Sequence, residues 1–239
     1  NIAIPDRSKE ANCPLLFDKK KTNKFVKTHI DRLVAMQGYD GGWSWFGQAD
    51  ESDPVISAIV YRGLSIASSL MQNAVPERSL EKAAGFLGSI EDQRVARLSS
   101  SILPWKNNKS RGTINEEDIL IRRALSTANT VHPGGISNDR MMKLIARDAQ
   151  KTGQYSQIMA ARLLLKENDK GSDEVKKLAS ALQKQVVTDA MLGTARLKNP
   201  GESSCWWFWH GNDTSIQAEY LQLLCELGSD TAAPIARGI

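Results

Sequence analysis

From Phe25 onward, apolar residues recur at Val26, Ile30, Leu33, Val34 and Met36, while Lys24, Lys27, Asp31 and Arg32 fall between them. A period of about 3.6 residues with one wet face predicts an amphipathic surface helix. The next apolar run differs in kind. Asp53 followed by Pro54 reads as an N-cap with proline at the first helical position. Val55, Ile56, Ala58, Ile59, Val60, Leu64, Ile66, Ala67, Leu70 and Met71 then leave almost no polar face. Such a helix is expected to be surrounded by protein. A third helix is predicted after Pro76, on Leu80, Ala83, Ala84, Leu87 and Ile90. A fourth starts from Asn115, with Glu116, Glu117 and Asp118 in a first turn where carboxylates favour the helix dipole. Shorter periodic runs begin near Asn138, near Gln154 and at Ser172, for about eight helices in all.

The stretches SSSILPWKNNKSRGT (99–113) and NTVHPGGISN (129–138) carry the Pro, Gly, Asn and Ser of connecting loops. One segment departs from the helical rule. From Val186 to Leu197, β-branched residues flank a Leu-Gly turn, which predicts a short hairpin; a helix over Ala190–Leu197 is the competing reading.

Five of the six tryptophans fall in two bursts, QGYDGGWSWF (37–46) and CWWFWH (205–210). Each precedes an aspartate and an apolar run. Asp53-Pro-Val-Ile-Ser-Ala and Asp213-Thr-Ser-Ile-Gln-Ala share the pattern Asp-x-x-Ile-polar-Ala. This weak internal repeat has one physical logic: a glycine turn folds the chain back, the rings cap the end of a helical layer, and an aspartate caps the next helix. Alternating outer amphipathic and inner apolar helices predict an all-α fold of helical hairpins, either an α/α toroid or a helical solenoid.

Composition narrows the candidate chemistry. The chain has 239 residues, enough for a substantial core, with Lys and Arg at 31 against Asp and Glu at 27. The basic run Lys19, Lys20, Lys21 and Lys24 is read as the solvated start of a helix, with neither nucleic acid nor a membrane as partner. No stretch approaches the roughly 20 apolar residues of a membrane span, and Asn1 does not open a signal pattern. Cys13, Cys205 and Cys225 form no CxxC pair, and His29, His132 and His210 form no metal-ligand pair, so no metal or cofactor is expected. His29 falls on the apolar stripe of its helix and is expected in the core. Cys205 and His210 are five apart, but the aromatic residues between them favour buried packing over a nucleophile and its base. Asp50-Glu51-Ser52-Asp53 and Glu116-Glu117-Asp118 are read as helix-start carboxylates and not as paired acids.

Gln37-Gly-Tyr-Asp40-Gly41-Gly42-Trp43, a Gln-x-x-Asp-Gly-x-Trp pattern at the end of an outer helix, resembles the repeat motif of the terpenoid-cyclase-like α/α toroids. That fold includes triterpene cyclases, protein prenyltransferase β subunits and the thioester domains of complement and α2-macroglobulin proteins. The wider context, with Met36 before the motif, Ser44-Trp45-Phe46 after it, then Ser52-Asp53-Pro54 and Tyr61-Arg62-Gly63-Leu64, is similar to the bacterial α2-macroglobulin-like proteins. So are the LPWKN segment (103–107) and the tail, where Gly193-Thr194-Ala195 leads into Trp206-Trp207-Phe208-Trp209 and Gln217-Ala218. The resemblance spans about residues 15 to 239. It implies a leader or linker at 1–17 and an α/α-toroid domain over 18–239, truncated at both ends.

In that family, the resemblance implies, a Cys-x-Glu-Gln motif holds an internal thioester that acylates an attacking protease once a bait region elsewhere is cut. A dry, aromatic-rich surround suits such an acyl group. None of the cysteines here sits in that motif: they read Cys13-Pro-Leu-Leu, Cys205-Trp-Trp-Phe and Cys225-Glu-Leu-Gly. The expectation is a noncatalytic part of a protease-trapping inhibitor. Its structural motif residues are Gln37, Asp40, Gly41, Gly42, Trp43, Asp53, Trp207, Trp209 and Asp213. Its partners are proteases, through the full-length protein, and other domains of the same chain, in an extracytoplasmic setting. The alternatives are a cyclase- or prenyltransferase-like enzyme domain, or an interaction module without a thioester.

Overall fold

The computed structural model describes residues 19–46, 51–99, 112–127, 136–167, 172–198 and 213–238. Among them the helices are α1 (Lys19–Ala35), α2 (Pro54–Leu70), α3 (Glu77–Ser99), α4 (Glu116–Thr127), α5 (Ile136–Asp148), α6 (Gln154–Glu167), α7 (Asp173–Gln183), α8 (Asp213–Leu227) and α9 (Ala232–Gly238). A short 3-10 turn covers Ala149–Lys151, and β1 (Val186–Asp189) pairs antiparallel with β2 (Thr194–Leu197). The all-α class and the hairpin expected at Val186–Leu197 are both present. Segment 1–17, the LPWKN stretch, Cys13, His132, Cys205 and His210 lie outside the described residues.

The chain divides into two units, one of residues 1–93 with 124–135 and the other of 94–123 with 136–239, so the divisions fall inside α3 and α4. In the first unit α1 is amphipathic as expected, with Lys20, Lys21 and Lys24 exposed and Ile30 buried. His29 is a correction: it is exposed, its ring nitrogen 2.8 Å from the Phe25 carbonyl and its ring stacked 4.1 Å from that of Phe25, itself 64% exposed. The buried stripe of α1 is one residue wide at this level, and His29 lies off it beside Ile30.

The expected surround of α2 is also corrected. Its buried residues are Ser57, Ala58, Tyr61, Leu64 and Ser65, a single face at helical spacing, while Ile66 and Leu70 point to solvent at 37% and 55% exposure. Apolar content on every side does not by itself cover every side. The helix begins as its sequence dictates, the Asp53 carboxylate accepting from the Ile56 N–H at 2.8 Å with Pro54 in the first turn.

In the second unit the surrounded helix is α6, where Tyr155 to Ala161 are consecutively buried, together with Leu163 and Leu164. It packs against α5, α7 and α8. Each fully buried aliphatic side chain there contributes roughly 1.5–3 kcal/mol relative to exposure. Helix α7 shows the opposite pattern, burying only Val175, Leu178 and Leu182 at spacings of three and four, behind a Ser172 N-cap.

At the start of α4 the expected dipole role resolves into a reciprocal cap. The Asn115 side chain accepts from the Asp118 N–H at 3.0 Å, and Asp118 accepts from the Asn115 N–H at 2.9 Å. The Asp118 side chain is fully buried and paired at both oxygens with Arg94, at 2.6 and 2.8 Å. The hairpin turns Ala195 and Leu197 of β2 inward, and α9, with Ile235 buried, packs on that strand.

Candidate functional site

The segment Gln37–Trp43 leaves α1 and closes on itself before entering α2. The Gly38 N–H donates to the Gly42 carbonyl at 2.8 Å, and the Gly41 N–H to the Gly38 carbonyl at 3.1 Å. Gly41 has φ +95°, a region that only glycine enters readily, and a Cβ there would stand 2.5 Å from the Lys82 carbonyl oxygen. A Cβ on Gly42 would meet Ser52 at 2.5 Å and the Ser57 hydroxyl at 2.7 Å. The two adjacent glycines therefore let helix α3 on one side and the start of α2 on the other approach the turn.

Gln37 is the strut of this turn. Its amide N–H₂ donates to the Gly41 carbonyl at 2.8 Å and the Ser79 carbonyl at 2.9 Å, and its amide oxygen accepts from the Ser79 hydroxyl at 2.7 Å. One side chain thus joins the end of α1, the turn and the start of α3. Asp40 braces the other side, accepting from the Ser52 hydroxyl at 2.7 Å, the Gly42 N–H at 3.1 Å and the Ser52 N–H at 3.3 Å. Burial works to raise the Asp40 pKa, but the Ser52 hydroxyl and the Gly42 and Ser52 N–H groups outweigh it and hold the carboxyl below its ordinary range.

Trp43, 2% exposed, is held at three points. Its indole N–H donates to the Leu33 carbonyl at 2.7 Å, its backbone N–H donates to the Ser57 hydroxyl at 2.7 Å, and its carbonyl accepts from the Asp53 N–H at 2.8 Å. Ser57 also donates to that carbonyl at 3.2 Å. Asp53 is thus both the cap of α2 and the partner of Trp43 in an isolated antiparallel bridge. The structure brings Gln37, Asp40, Gly41, Gly42, Trp43 and Asp53 into one hydrogen-bonded clasp at a helix end.

The second burst is placed only in part. Trp207 and Trp209 lie outside the described residues. Asp213 is the first residue of α8, exposed, one position further into the helix than the N-cap expected of it. The repeat has a feature that the aspartates do not carry. Gln217 fills the same slot of Asp-x-x-Ile-polar-Ala as Ser57, accepting from the Leu197 N–H at 3.1 Å and donating to the Leu197 carbonyl at 3.3 Å. In both copies the polar residue grips both backbone groups of one extended residue that precedes the helix. Serine and glutamine look unrelated as letters, and only the shared polar slot of Asp-x-x-Ile-polar-Ala marked them.

Other residues that sequence reading passed over form ion pairs in the second unit. Glu219 pairs with Arg123 at 2.6 Å and with Arg162, which also meets Glu226 at 2.6 Å. Asp148, buried, is held below its ordinary pKa by Arg147 at 2.6 Å. Burial pushes the Tyr220 hydroxyl up to about 12 while it donates to Gln183 at 3.3 Å; both residues line an apolar cavity of about 330 Å³ together with Leu223, Leu224 and Leu227. Beside the clasp, Tyr39, Trp45 and Phe46 stand exposed at 84%, 54% and 98%. Cys225 is free and exposed.

Among the described residues no helix is long and apolar enough to cross a membrane, and no group of three or more His, Cys, Asp or Glu is placed to hold a metal ion. No protein-family model matches the chain, and no curated protein matches it. The functional reading therefore rests on the motif and on what its residues do.

Proposed function

We propose that this chain is part of the thioester-type domain of a bacterial α2-macroglobulin-like protease trap, with its helices arranged as an α/α toroid. The observation that carries the reading is the joint use of the Gln-x-x-Asp-Gly-Gly-Trp motif: every motif side chain and both glycines serve one helix-end clasp, the role such a motif has in helical hairpins laid around a centre. The carboxylates nearest the motif support it too. Asp40 spends its oxygens on Ser52 and Gly42, and Asp53 spends its own on the α2 cap, which suits architecture better than proton transfer. On this reading the chain carries neither a thioester nor catalytic residues. It acts on proteases through the full-length protein, against its other domains, in an extracytoplasmic compartment.

The test is to challenge the native full-length protein with an endoprotease and ask whether the protease stays bound after the inhibitor is cut. Retention of the cut inhibitor on the protease is the expected result. Stoichiometric zinc in the purified protein would replace this reading by the prenyltransferase-like one. Clean cleavage without retention would replace it by an interaction module.

A further inference from the structure

The β1–β2 hairpin exposes its two edges unequally. Lys198 donates its N–H to the Gln185 carbonyl at 2.7 Å, and the register pairs Val186 with Leu197, Val187 with Arg196 and Thr188 with Ala195. Hydrogen-bonded and non-bonded pairs alternate along an antiparallel ladder. Val187 and Asp189 therefore direct their backbone groups into the hairpin, while Val186 and Thr188 on β1, and Ala195 and Leu197 on β2, direct theirs outward. On β2 that outward edge is closed: Gln217 takes both backbone groups of Leu197, and Gly238 of α9 lies so close that a Cβ there would stand 2.4 Å from the Ala195 carbonyl oxygen. On β1, no described residue bonds the outward groups of Val186 and Thr188. Val187 is 47% exposed between them.

We propose that β1 is a self-association edge, along which a second copy of this chain pairs antiparallel to make a four-stranded sheet. An edge strand with unpaired N–H and C=O groups is a template for such pairing unless a charge, a proline or a covering element blunts it, and β1 has none of these at its centre. The strand is complementary to itself. With the two-fold axis at Val187, Val186 of one copy faces Thr188 of the other, so the four outward residues exchange backbone hydrogen bonds and the two Val187 side chains meet on the solvent face. The charges match as well. The turn end of β1 carries Asp189, and the opposite end carries Lys184 and Lys198, all exposed. An antiparallel two-fold brings each acidic end to the partner's basic end. The turn is held in place for this, since Asp189 accepts from the N–H groups of Met191 and Leu192 at 2.9 and 3.1 Å, and Arg237 donates to the Gly193 carbonyl at 3.1 Å on the β2 side. A four-residue edge buries little surface, so the dimer is weak and concentration-dependent.

The test uses the full chain in sedimentation velocity over a wide concentration range, with amide hydrogen exchange read residue by residue. The expected result is reversible dimerisation in which the Val186 and Thr188 amides slow as concentration rises, while the Val187 amide, already bonded inside the hairpin, does not change. Val187→Lys puts a charge on the axis and is expected to weaken dimerisation by about tenfold or more. Thr188→Pro removes an outward N–H and is expected to act likewise; should it disturb the hairpin, the exposed Val187→Lys variant decides alone. A chain that stays monomeric to its solubility limit overturns the proposal. So does a dimer indifferent to Val187→Lys, or one that leaves the Val186 and Thr188 amides exchanging at the dilute rate.

Discussion

Replacing Gln37 by Glu changes one atom's chemistry at the centre of the clasp and nothing of its shape. The amide nitrogen faces two carbonyl oxygens, of Gly41 at 2.8 Å and Ser79 at 2.9 Å, while the amide oxygen takes the Ser79 hydroxyl. In Gln37→Glu at neutral pH, both donor bonds are lost and a carboxylate oxygen confronts the two carbonyls; only the Ser79 bond survives. Two lost bonds at about 1 kcal/mol each, with the repulsion of a carboxylate oxygen held against two carbonyl oxygens, give a destabilisation of about 2–4 kcal/mol. The sign of the pH dependence follows. The carbonyls disfavour the charged form, so the folded-state pKa of the new Glu lies above its unfolded value of about 4.3. Its contribution is then intact below that unfolded value and is lost as pH rises through the folded one. The deficit relative to the unsubstituted chain should be largest at neutral pH and shrink on acidification. Urea denaturation of both proteins, followed by circular dichroism across that pH range, measures it. A variant within about 0.5 kcal/mol of the parent at neutral pH, or a deficit that grows on acidification, would refute the role given to Gln37.

Three further substitutions probe the same logic. Asp40→Asn should cost about 1 kcal/mol near neutrality; because the Asp40 pKa is depressed, the advantage of the carboxylate should fade as pH drops from about 3.9 through the folded value, which acid-limb denaturation curves would show. Gly41→Ala, forced to φ +95° with its Cβ 2.5 Å from the Lys82 carbonyl, should lose about 2–4 kcal/mol by denaturation, more than an alanine at the exposed helical Gly63, where nothing lies within 4 Å. Gln217→Leu strands the Leu197 N–H and C=O and should cost about 2–3 kcal/mol, with faster exchange of the Leu197 amide and an unchanged Val187 amide.

The helices and the hairpin were legible because their signals are local. The Asp53-Pro54 cap, the Asn115–Asp118 start and the β-branched run at Val186 each act within a few residues of where they are written. Burial was less legible, because it depends on what arrives from elsewhere. The apolar letters of α2 predicted a surrounded helix, yet that role falls to α6, where Ser156, Gln157 and Arg162 interrupt the apolar run. Polar side chains in α6 are tolerated where partners reach them, as Gln157 does with the Thr152 carbonyl at 2.8 Å and Arg162 with Glu219 and Glu226. His29 erred the other way, one position off a stripe that is narrow at its level. The clasp itself was half legible. Gln37, Asp40 and the glycines announced a turn, and Ser52 and Ser57 stood within sequence patterns that implied no bonding role for them, but Ser79, 42 residues from Gln37, carries no pattern of its own.

Within the first aromatic-glycine segment, Trp43 closes a helix end from the inside and does not line a binding cleft. Proton exchange at the tryptophan indoles of the ligand-free chain tests this directly. The Trp43 indole N–H, bonded to the Leu33 carbonyl at 2.7 Å and 2% exposed, should exchange on the timescale of buried helix amides, whereas that of Trp45, 54% exposed, should exchange freely. A Trp43 indole that exchanges as fast as that of Trp45, and becomes protected only when a ligand is added, would contradict it.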